Sequence, residues 1–397
     1  MADAIFTIIR NARGPLSKSF ALHEGRLQKT SAAEVTDGLA IRAAASDIFD
    51  LARIVESLNA HEALTFGIPR LGRARIATQK AINTGAAPKG AVARDRANFS
   101  WPKGRGVFML DIDKPKDGAP LKSKDFDVMM AGLFPWWTSI ARMYRPSASA
   151  FIHDDNGEFL TEHGSLRCYC FVDIAENIPF LGIALLDALW KAGMGRIEFS
   201  AAGSMLIRTA VDGAVWQPER LDFAGPVVLG AGLHRLHHKP AIKDGSDIDT
   251  EAVIAASGLG KITFSAWASN SLEVRIAKHA ARPEEKARRA KFIDERVKAE
   301  VCGGADAKAA RRKWRAALTD NVLRGNFVLH FRDKGPATVA EVLSNPRAFN
   351  LERLADPQEP DYAGDGRIAQ FYSNEGRARP FVYSHAHGGL KYMLTHL

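Results

Sequence analysis

The chain has 397 residues and is 46% hydrophobic, enough apolar material for one large core or two or three smaller ones, which excludes a disordered or fibrous protein. No apolar run approaches the roughly 18 residues that span a bilayer, no signal-peptide pattern opens the chain, and the three cysteines form no CxxC pair, so we expect a cytoplasmic protein with no membrane partner, no disulfide framework and no structural zinc. The formal charge of +9 and the pI near 9.4 favour a polyanionic partner, with nucleic acid the leading candidate.

The order of predicted elements indicates an α+β fold. A strand is predicted at residues 5–9 and helical spacing in the alanine-rich stretch 32–60, and the short apolar runs that follow are separated by turns rather than by regular helices. A strong helix is predicted at 178–192. The other predicted strands are 106–113, 148–152, 167–173, 196–199, 205–209, 214–216, 327–331, 368–372 and 381–383. We divide the chain into a main region 1–240 with an N-terminal leader, a basic helical region 241–325 and a small C-terminal α+β region 326–397.

The strand predicted at 106–113 carries two aspartates in an otherwise apolar run. Because strand residues alternate between faces, Asp111 and Asp113 share one face, while Leu110 and Ile112 share the other. Adjacent carboxylates at the end of a buried strand repel each other and resist desolvation, so we expect a cation between them. Hard oxygen ligands favour Mg²⁺ or Mn²⁺, which commonly serve phosphoryl transfer. The alternative is that both aspartates merely begin a turn.

A third acid and several cations follow. Asp212 comes after a short apolar stretch and is flanked by Arg208 and Arg220. A carboxylate with arginines can hold a metal ion and a triphosphate in one cleft, although a turn residue would give the same pattern. Ser165 and Arg167 share one face at the start of another predicted strand, where a hydroxyl and a guanidinium can receive phosphate oxygens.

Much of the positive charge lies in one predicted helical stretch, 282–315. It contains twelve Lys or Arg residues and six Asp or Glu residues and is broken at Gly303 and Gly304. We interpret it either as a solvated helical face or as a surface that grips phosphates, with Trp314 free to stack or to pack. The nucleic-acid-binding candidates are Arg288, Arg289, Arg311, Arg312 and Lys313.

The order of these motifs resembles the archaeo-eukaryotic primase superfamily, the primase-polymerases. The family carries an acid pair on a strand, then a Ser-x-His strand start, then an apolar residue and an aspartate with an arginine downstream. Asp111 with Asp113, Ser165-x-Arg167 and Val211-Asp212 resemble these motifs in turn. The family's histidine contacts the phosphates of the incoming nucleotide, and Arg167 stands in its place here.

The likeness covers roughly residues 75–230. Its central run, from Arg145 to the Pro-Glu-Arg-Leu segment that contains Arg220, resembles the primase-like domains of plasmid and prophage replication proteins. The resemblance implies a primase-polymerase core within 1–240, with an RRM-like sheet and a second small α/β unit. It also implies DNA primase or DNA-directed polymerase activity on a single-stranded DNA template. No Walker A motif is present, so any helicase would act in trans or belong to a longer parent chain.

The mechanism that the resemblance implies is nucleotidyl transfer. Asp111, Asp113 and Asp212 would be the catalytic residues and would hold two Mg²⁺ or Mn²⁺ ions. The nucleoside triphosphate would be bound by candidates chosen for their charge or hydroxyl group, namely Ser165, Arg167, Arg208, Arg220, Arg145 and Lys114. Two other classes of function stay open: a non-catalytic replication initiator or origin-binding protein on a primase scaffold, and a metal-dependent nuclease that uses the same carboxylates.

Overall fold

A computed structural model describes residues 2–113, 121–161, 165–362, 365–374 and 378–396. The strands are β1 (Ala4–Asn11), β2 (Lys18–His23), β3 (Arg26–Ser31), β4 (Gly38–Ala45), β5 (Glu62–Thr65), β6 (Ile68–Pro69), β7 (Ala74–Ile76), β8 (Phe99–Ser100), β9 (Gly106–Ile112), β10 (Arg142–Pro146), β11 (Ile152–Asp154), β12 (Phe159–Thr161), β13 (Leu166–Val172), β14 (Arg196–Phe199), β15 (Met205–Arg208), β16 (Val228–Leu229), β17 (Leu233–Arg235), β18 (Ala241–Lys243), β19 (Val322–Leu323), β20 (Val328–Phe331), β21 (Gly335–Thr338), β22 (Arg353–Leu354), β23 (Ala369–Tyr372), β24 (Phe381–Ser384) and β25 (Leu390–Leu394). The α-helices are α1 (Ile48–Ser57), α2 (Gln79–Asn83), α3 (Ser123–Leu133), α4 (Ile178–Lys191), α5 (Thr250–Ser257), α6 (Phe264–Asn270), α7 (Leu272–Cys302), α8 (Ala307–Arg315) and α9 (Val339–Ser344). The predicted α+β class is confirmed.

The chain forms two compact units, and each contains two separate stretches of sequence. Unit 1 consists of Met1–Gly195 and Arg208–Glu273, and unit 2 of Arg196–Ile207 and Val274–Leu397. This division differs from the three regions expected from sequence. The region 241–325 is split between the units, because α5 and α6 belong to unit 1 whereas most of α7 and all of α8 belong to unit 2.

Two four-stranded sheets form the framework of unit 1. One has the order β5-β1-β4-β7, and the other has the order β18-β10-β13-β9; every pairing is antiparallel. β9 and β13 are almost wholly buried, which explains their near-continuous apolar sequences. α4 is also buried around most of its circumference, so its apolar residues do not follow a single stripe. Smaller sheets of unit 1 have the orders β12-β11-β17, β16-β2-β3 and β6-β8.

The helix expected within 32–60 is only partly correct. Residues 38–45 form the strand β4, which pairs with β1 on one side and with β7 on the other, and only Ile48–Ser57 is helical. Asp47 begins α1 by accepting a hydrogen bond from the Asp50 N–H. Alanine is a strong helix former, but backbone pairing of β4 with two neighbouring strands overrides that intrinsic preference here.

Two other predicted strands are displaced. The strand expected at 148–152 begins only at Ile152, where β11 pairs with β12 and β17. The one expected at 214–216 is instead a 3-10 turn over Gly213–Val215, because the Asp212 side chain accepts a hydrogen bond from the Ala214 N–H and caps it.

Unit 2 is built on a seven-stranded sheet with the order β19-β25-β24-β23-β22-β20-β21. α7 and α8 contribute Phe292, Val297 and Trp314 to the same hydrophobic core as Phe371 and Tyr392 of the sheet. The basic helical stretch after Val274 and the C-terminal strands are therefore one folding unit, since neither could bury its apolar face alone. No helix within the described ranges is both long and apolar enough to cross a bilayer.

The change Gly182→Ala tests the packing behind β9, the strand that carries Asp111. Gly182 of α4 lies against the indole of Trp216, where an added Cβ would overlap the ring. Trp216 in turn donates from Nε1 to the Met109 carbonyl oxygen of β9 at 3.0 Å. Although alanine favours helices, we expect the overlap to lower the free energy of unfolding by about 1–3 kcal/mol in urea titrations.

Gly132→Ala is the matched control, because Gly132 is an exposed position of α3 with open space around it. That change should raise stability by about 0.5 kcal/mol. Equal stabilisation by both changes would contradict the close packing of α4 on Trp216.

Candidate active site

The two aspartates of the acid strand lie at the end of β9. Leu110 and Ile112 are buried on one face, and Asp111 and Asp113 occupy the alternate positions, as the strand pattern predicted. β9 pairs antiparallel with β13, so that Asp111 is directly opposite Arg167. A carboxylate on the edge strand β9 and a guanidinium on the neighbouring strand β13 therefore face each other.

Backbone pairing brings the third acid to the first two. The Asp212 N–H donates to the Asp111 carbonyl oxygen at 2.9 Å, and the Asp113 N–H donates to the Ala210 carbonyl oxygen at 3.1 Å. Val211 and Ile112 form the antiparallel bridge between these two bonds. Main-chain hydrogen bonds thus hold three carboxylates, up to 101 residues apart in the sequence, at one end of the sheet. We call Asp111, Asp113 and Asp212 the acid cluster.

The carboxylates lie in an environment that disfavours negative charge. Burial is the main cause that raises the pKa of Asp111, and Asp222 and Asp212 add to it while Arg167 opposes it. Burial also raises the pKa of Asp113 to about 6, with a further contribution from Asp111 and Asp212. Like charges crowded in a desolvated place are stabilised by a nearby cation.

The donor atoms partly fit a hard divalent cation. Asp111 Oδ1 is buried and has no hydrogen-bond partner among the described residues, so it is an acceptor that a cation would satisfy. Asp212, in contrast, uses Oδ1 to cap its own turn at 3.0 Å from the Ala214 nitrogen. Within the described ranges, no three His, Cys, Asp or Glu side chains already surround a common ion position. The ligand types therefore suit Mg²⁺ or Mn²⁺, but the side chains are not arranged as a finished site.

Arg167 is committed to a buried ion pair that sequence reasoning missed. It is 5% exposed, its Nη1 lies 2.5 Å from Asp222 Oδ1, and it donates to the Phe223 carbonyl oxygen at 2.9 Å. Asp222 Oδ2 also accepts a hydrogen bond of 2.8 Å from the Tyr169 hydroxyl. Burial alone would lower the pKa of Arg167, but Asp222, Tyr169 and Asp111 outweigh it and raise the pKa, so the guanidinium stays charged. A contact of Arg167 with a phosphate stays a prediction.

Lys18 is a further cation beside the acids. This half-buried residue begins β2, and its side chain has no hydrogen-bond or ion-pair partner in the parts of the chain that the structure describes. Burial, with Arg167 and Lys29, lowers the pKa of Lys18 to about 8, against the opposing effect of Asp111 and Asp222. No sequence motif marks Lys18, and it precedes the acid strand by almost ninety residues.

Arg235 at the end of β17 is the second cation that was missed. Its guanidinium donates to the carbonyl oxygens of Ala150 and Ser147, both at 3.1 Å. Burial lowers the pKa of Arg235, and the positive charges of Arg145 and Arg167 lower it further. Arg145 is directly opposite Arg167 in the pairing of β10 with β13. A half-buried group of cations thus adjoins the acid cluster.

The other predicted ligands of the nucleotide differ in their surroundings. Ser165 Oγ donates to Asp113 Oδ1 at 3.3 Å, and Arg145 donates to the Ala224 carbonyl oxygen at 2.6 Å. Arg208 Nη1 lies 4.0 Å from an oxygen of Asp212, whereas Arg220 is exposed. Lys114 lies outside the described residues.

The predicted nucleic-acid contacts in unit 2 are mostly ion-paired. Arg288 pairs with Glu284 at 2.7 Å and Arg289 with Glu285 at 2.8 Å. Arg311 pairs with Asp294 at 2.7 Å and Lys313 with Glu300 at 2.6 Å. Arg312 is exposed and has no carboxylate partner among the residues described. The charge count of the sequence therefore overstates the positive charge that these five residues offer to a ligand.

Comparison of the chain with protein-family models, with curated proteins and with solved structures gives no match.

Asp113→Asn tests the electrostatics of the acid cluster. The folded protein holds a proton on Asp113 up to about pH 6, whereas an ordinary aspartate releases it near pH 3.8. The carboxyl therefore contributes stability fully below about pH 4 and loses it as the pH rises through 6. In urea titrations with a chelator, the free energy of unfolding of the parent should fall between pH 4 and 7 relative to the variant, by at most about 3 kcal/mol.

Asp3→Asn serves as the control, because Asp3 is exposed. Its stability should follow that of the parent over the whole pH range. If Asp113→Asn does the same, Asp113 is not in a desolvated, acidic environment.

Proposed function

We propose that the protein is a metal-dependent nucleotidyltransferase of the primase-polymerase type that acts on single-stranded DNA in the replication of a plasmid or prophage. One observation carries the proposal: main-chain hydrogen bonds join the end of β9 to the Asp212 segment, so that Asp111, Asp113 and Asp212 meet beside Ser165. These are the residues, in the order, that the resemblance to primase-polymerases singled out. The primase-polymerase core and a cytoplasmic location are parts of the proposal.

The acid cluster would hold the metal ions. Asp111, with its unsatisfied buried oxygen, and Asp113 are the primary ligands, and Asp212 would join them through the oxygen that does not cap its turn. When bound, Mg²⁺ or Mn²⁺ would acidify the attacking 3′-hydroxyl group and neutralise the triphosphate. The protein's own contribution is to hold the carboxylates together against their repulsion, with the cost offset by backbone pairing and by Arg167.

The cations beside the acids would bind the triphosphate. Lys18 is the best placed, since its charge is half-buried near Asp111 and it has no partner among the described residues. Arg145 and Arg235 are fixed by carbonyl oxygens, so they present charge without needing to be ordered on binding. Arg167 then acts as a positioning residue that holds Asp222 and faces Asp111, and Lys18 takes the phosphate role that the family gives to its histidine.

A non-catalytic initiator on the same scaffold is the second candidate. The observation that favours it is the ion pair of Arg167 with Asp222, which occupies the position of the family's nucleotide-binding histidine with a buried structural contact. In that case the protein would bind a specific duplex without incorporating nucleotides.

Asp111→Asn tests nucleotidyl transfer directly. With Mn²⁺, labelled nucleotides and a primed single-stranded template, the parent should extend the primer and the variant should lose about 10²–10⁴-fold in rate, because a metal ligand contributes several kcal/mol to the transition state. Asp125→Asn, an exposed position of α3, is the matched control and should keep the parent rate.

The same reaction distinguishes the alternatives. Metal-dependent loss of the strand without added nucleotides would indicate a nuclease. Equal rates for Asp111→Asn and the parent, or no product from either with ribo- or deoxynucleotides, would rule out the proposal.

Lys18→Met tests the proposed phosphate contact. A charge-assisted hydrogen bond to phosphate contributes about 1.5–3 kcal/mol, so KM for the nucleotide should rise about 10- to 100-fold. Lys124→Met is the control, because Lys124 is an exposed residue of α3 and is not among the charges that act on Lys18. Unchanged KM in both variants would show that Lys18 does not contact the nucleotide.

A further inference from the structure

All six acidic residues of the basic stretch 282–315 take part in ion pairs or hydrogen bonds. Beyond the four ion pairs already described, Glu295 lies 3.9 Å from Lys291, and Asp306 caps α8 by accepting a hydrogen bond of 2.7 Å from the Ala309 N–H. Arg296 packs over the rings of Phe292 and Trp314. The remaining cations without a carboxylate partner, within the described structure, are Arg282, Lys286, Lys298, Lys308, Arg312 and Arg315.

Three of these cations form a stripe on α8. Lys308, Arg312 and Arg315 have the spacing i, i+4, i+7, so they share one face of the helix over about 10 Å, and all three are exposed. The opposite face buries Ala310 and Trp314 in the core of unit 2. We call these three residues the α8 stripe.

Helix stability does not account for the α8 stripe. Arg312 and Arg315 lie in the last turn, where the helix dipole favours positive charge. Lys308 lies in the first turn, where the dipole disfavours it; the acidic residue at that end is the N-cap Asp306, whose carboxylate is engaged by the Ala309 N–H and not by Lys308. A cation placed against the dipole and aligned with two others points to an external anion.

We propose that the α8 stripe binds the phosphodiester backbone of single-stranded DNA. The partner rests on the proposed function, in which single-stranded DNA is the template. Trp314 cannot stack on a base there, since it is buried and donates from Nε1 to Glu300 at 2.7 Å. Binding is therefore independent of base sequence and is carried by charge alone. The paired cations of α7 contribute little, although the sequence draws attention to them first.

The test compares two triple variants that remove the same charge. One replaces the stripe (Lys308→Gln, Arg312→Gln, Arg315→Gln), and the other replaces paired cations of α7 (Arg288→Gln, Arg289→Gln, Lys291→Gln). Affinity for a fluorescent single-stranded oligonucleotide is measured from 50 to 300 mM salt. The stripe variant should lose about two units of the slope of log K against log salt and bind about 10- to 100-fold more weakly near 0.1 M salt.

The α7 variant should change the slope by less than about 0.7, the value of one phosphate contact. Equal slopes for the two variants, or a parent slope in the stripe variant, would overturn the proposal. The conservative variant with Lys308→Arg, Arg312→Lys and Arg315→Lys should keep the parent slope; loss of binding there would show damage to the fold instead of loss of charge and would count against the stripe.

Two further measurements distinguish a failure of this inference from a failure of the proposed function. Asp111→Asn should bind the oligonucleotide at least as tightly as the parent, so DNA binding is scored even if no nucleotidyl transfer occurs. Vesicles containing phosphatidylserine, if bound with the same stripe-dependent affinity as the single strand, would overturn the assignment of the partner.

Discussion

The buried ion pair between Arg167 and Asp222 is the interaction on which the candidate site depends. Asp222 exchanges two main-chain hydrogen bonds with Leu64 of β5, at 2.8 and 2.9 Å, so it belongs to the first sheet of unit 1. Arg167 belongs to the second sheet and faces Asp111. One ion pair therefore links the two sheets of unit 1 next to β9, the strand that carries Asp111. Removing either partner would leave the other charge buried and uncompensated, a penalty of about 3–5 kcal/mol.

The same arrangement explains how the acids tolerate burial. Asp111 and Asp222 lie near two cations: Arg167, which is ion-paired with Asp222, and Lys18, which has no ion-pair partner among the described residues. Positive charge on one side and an unsatisfied carboxylate oxygen on the other make this end of the sheet suitable for a ligand with phosphates and a divalent ion. The site holds its charges in place before any ligand arrives, as preorganised electrostatics requires.

The sequence pattern correctly predicted those elements whose structure depends mainly on neighbouring residues. Strand alternation placed Asp111 and Asp113 on one face, and a helix over 178–192 was expected and found as α4. The Ala-rich stretch was misread because β4 is defined by its neighbours β1 and β7, which composition does not reveal. Asp222 and Lys18 reach the acids only through tertiary structure, so no spacing in the sequence could have identified them.

The ion pairs of the basic stretch 282–315 could also be predicted only in part from the sequence. The pairs Glu284 with Arg288 and Glu285 with Arg289 have i, i+4 spacing and could have been read from the sequence. The pairs of Arg311 with Asp294 and of Lys313 with Glu300 need the packing of α8 on α7. The net charge counted along the chain therefore indicated which segment is basic, but not which of its cations have carboxylate partners.

The path of the chain between the two units restricts how this protein can diverge. The hairpin β14–β15 is almost wholly in unit 2, yet it lies between α4 and Asp212, which are both in unit 1. A recombination event at one point in the gene cannot exchange unit 2, because two separate coding segments specify it. A single crossover that replaced α7, α8 and the seven-stranded sheet would leave the old β14–β15 hairpin in place, and the incoming core would have to pack against Ala202 of that hairpin.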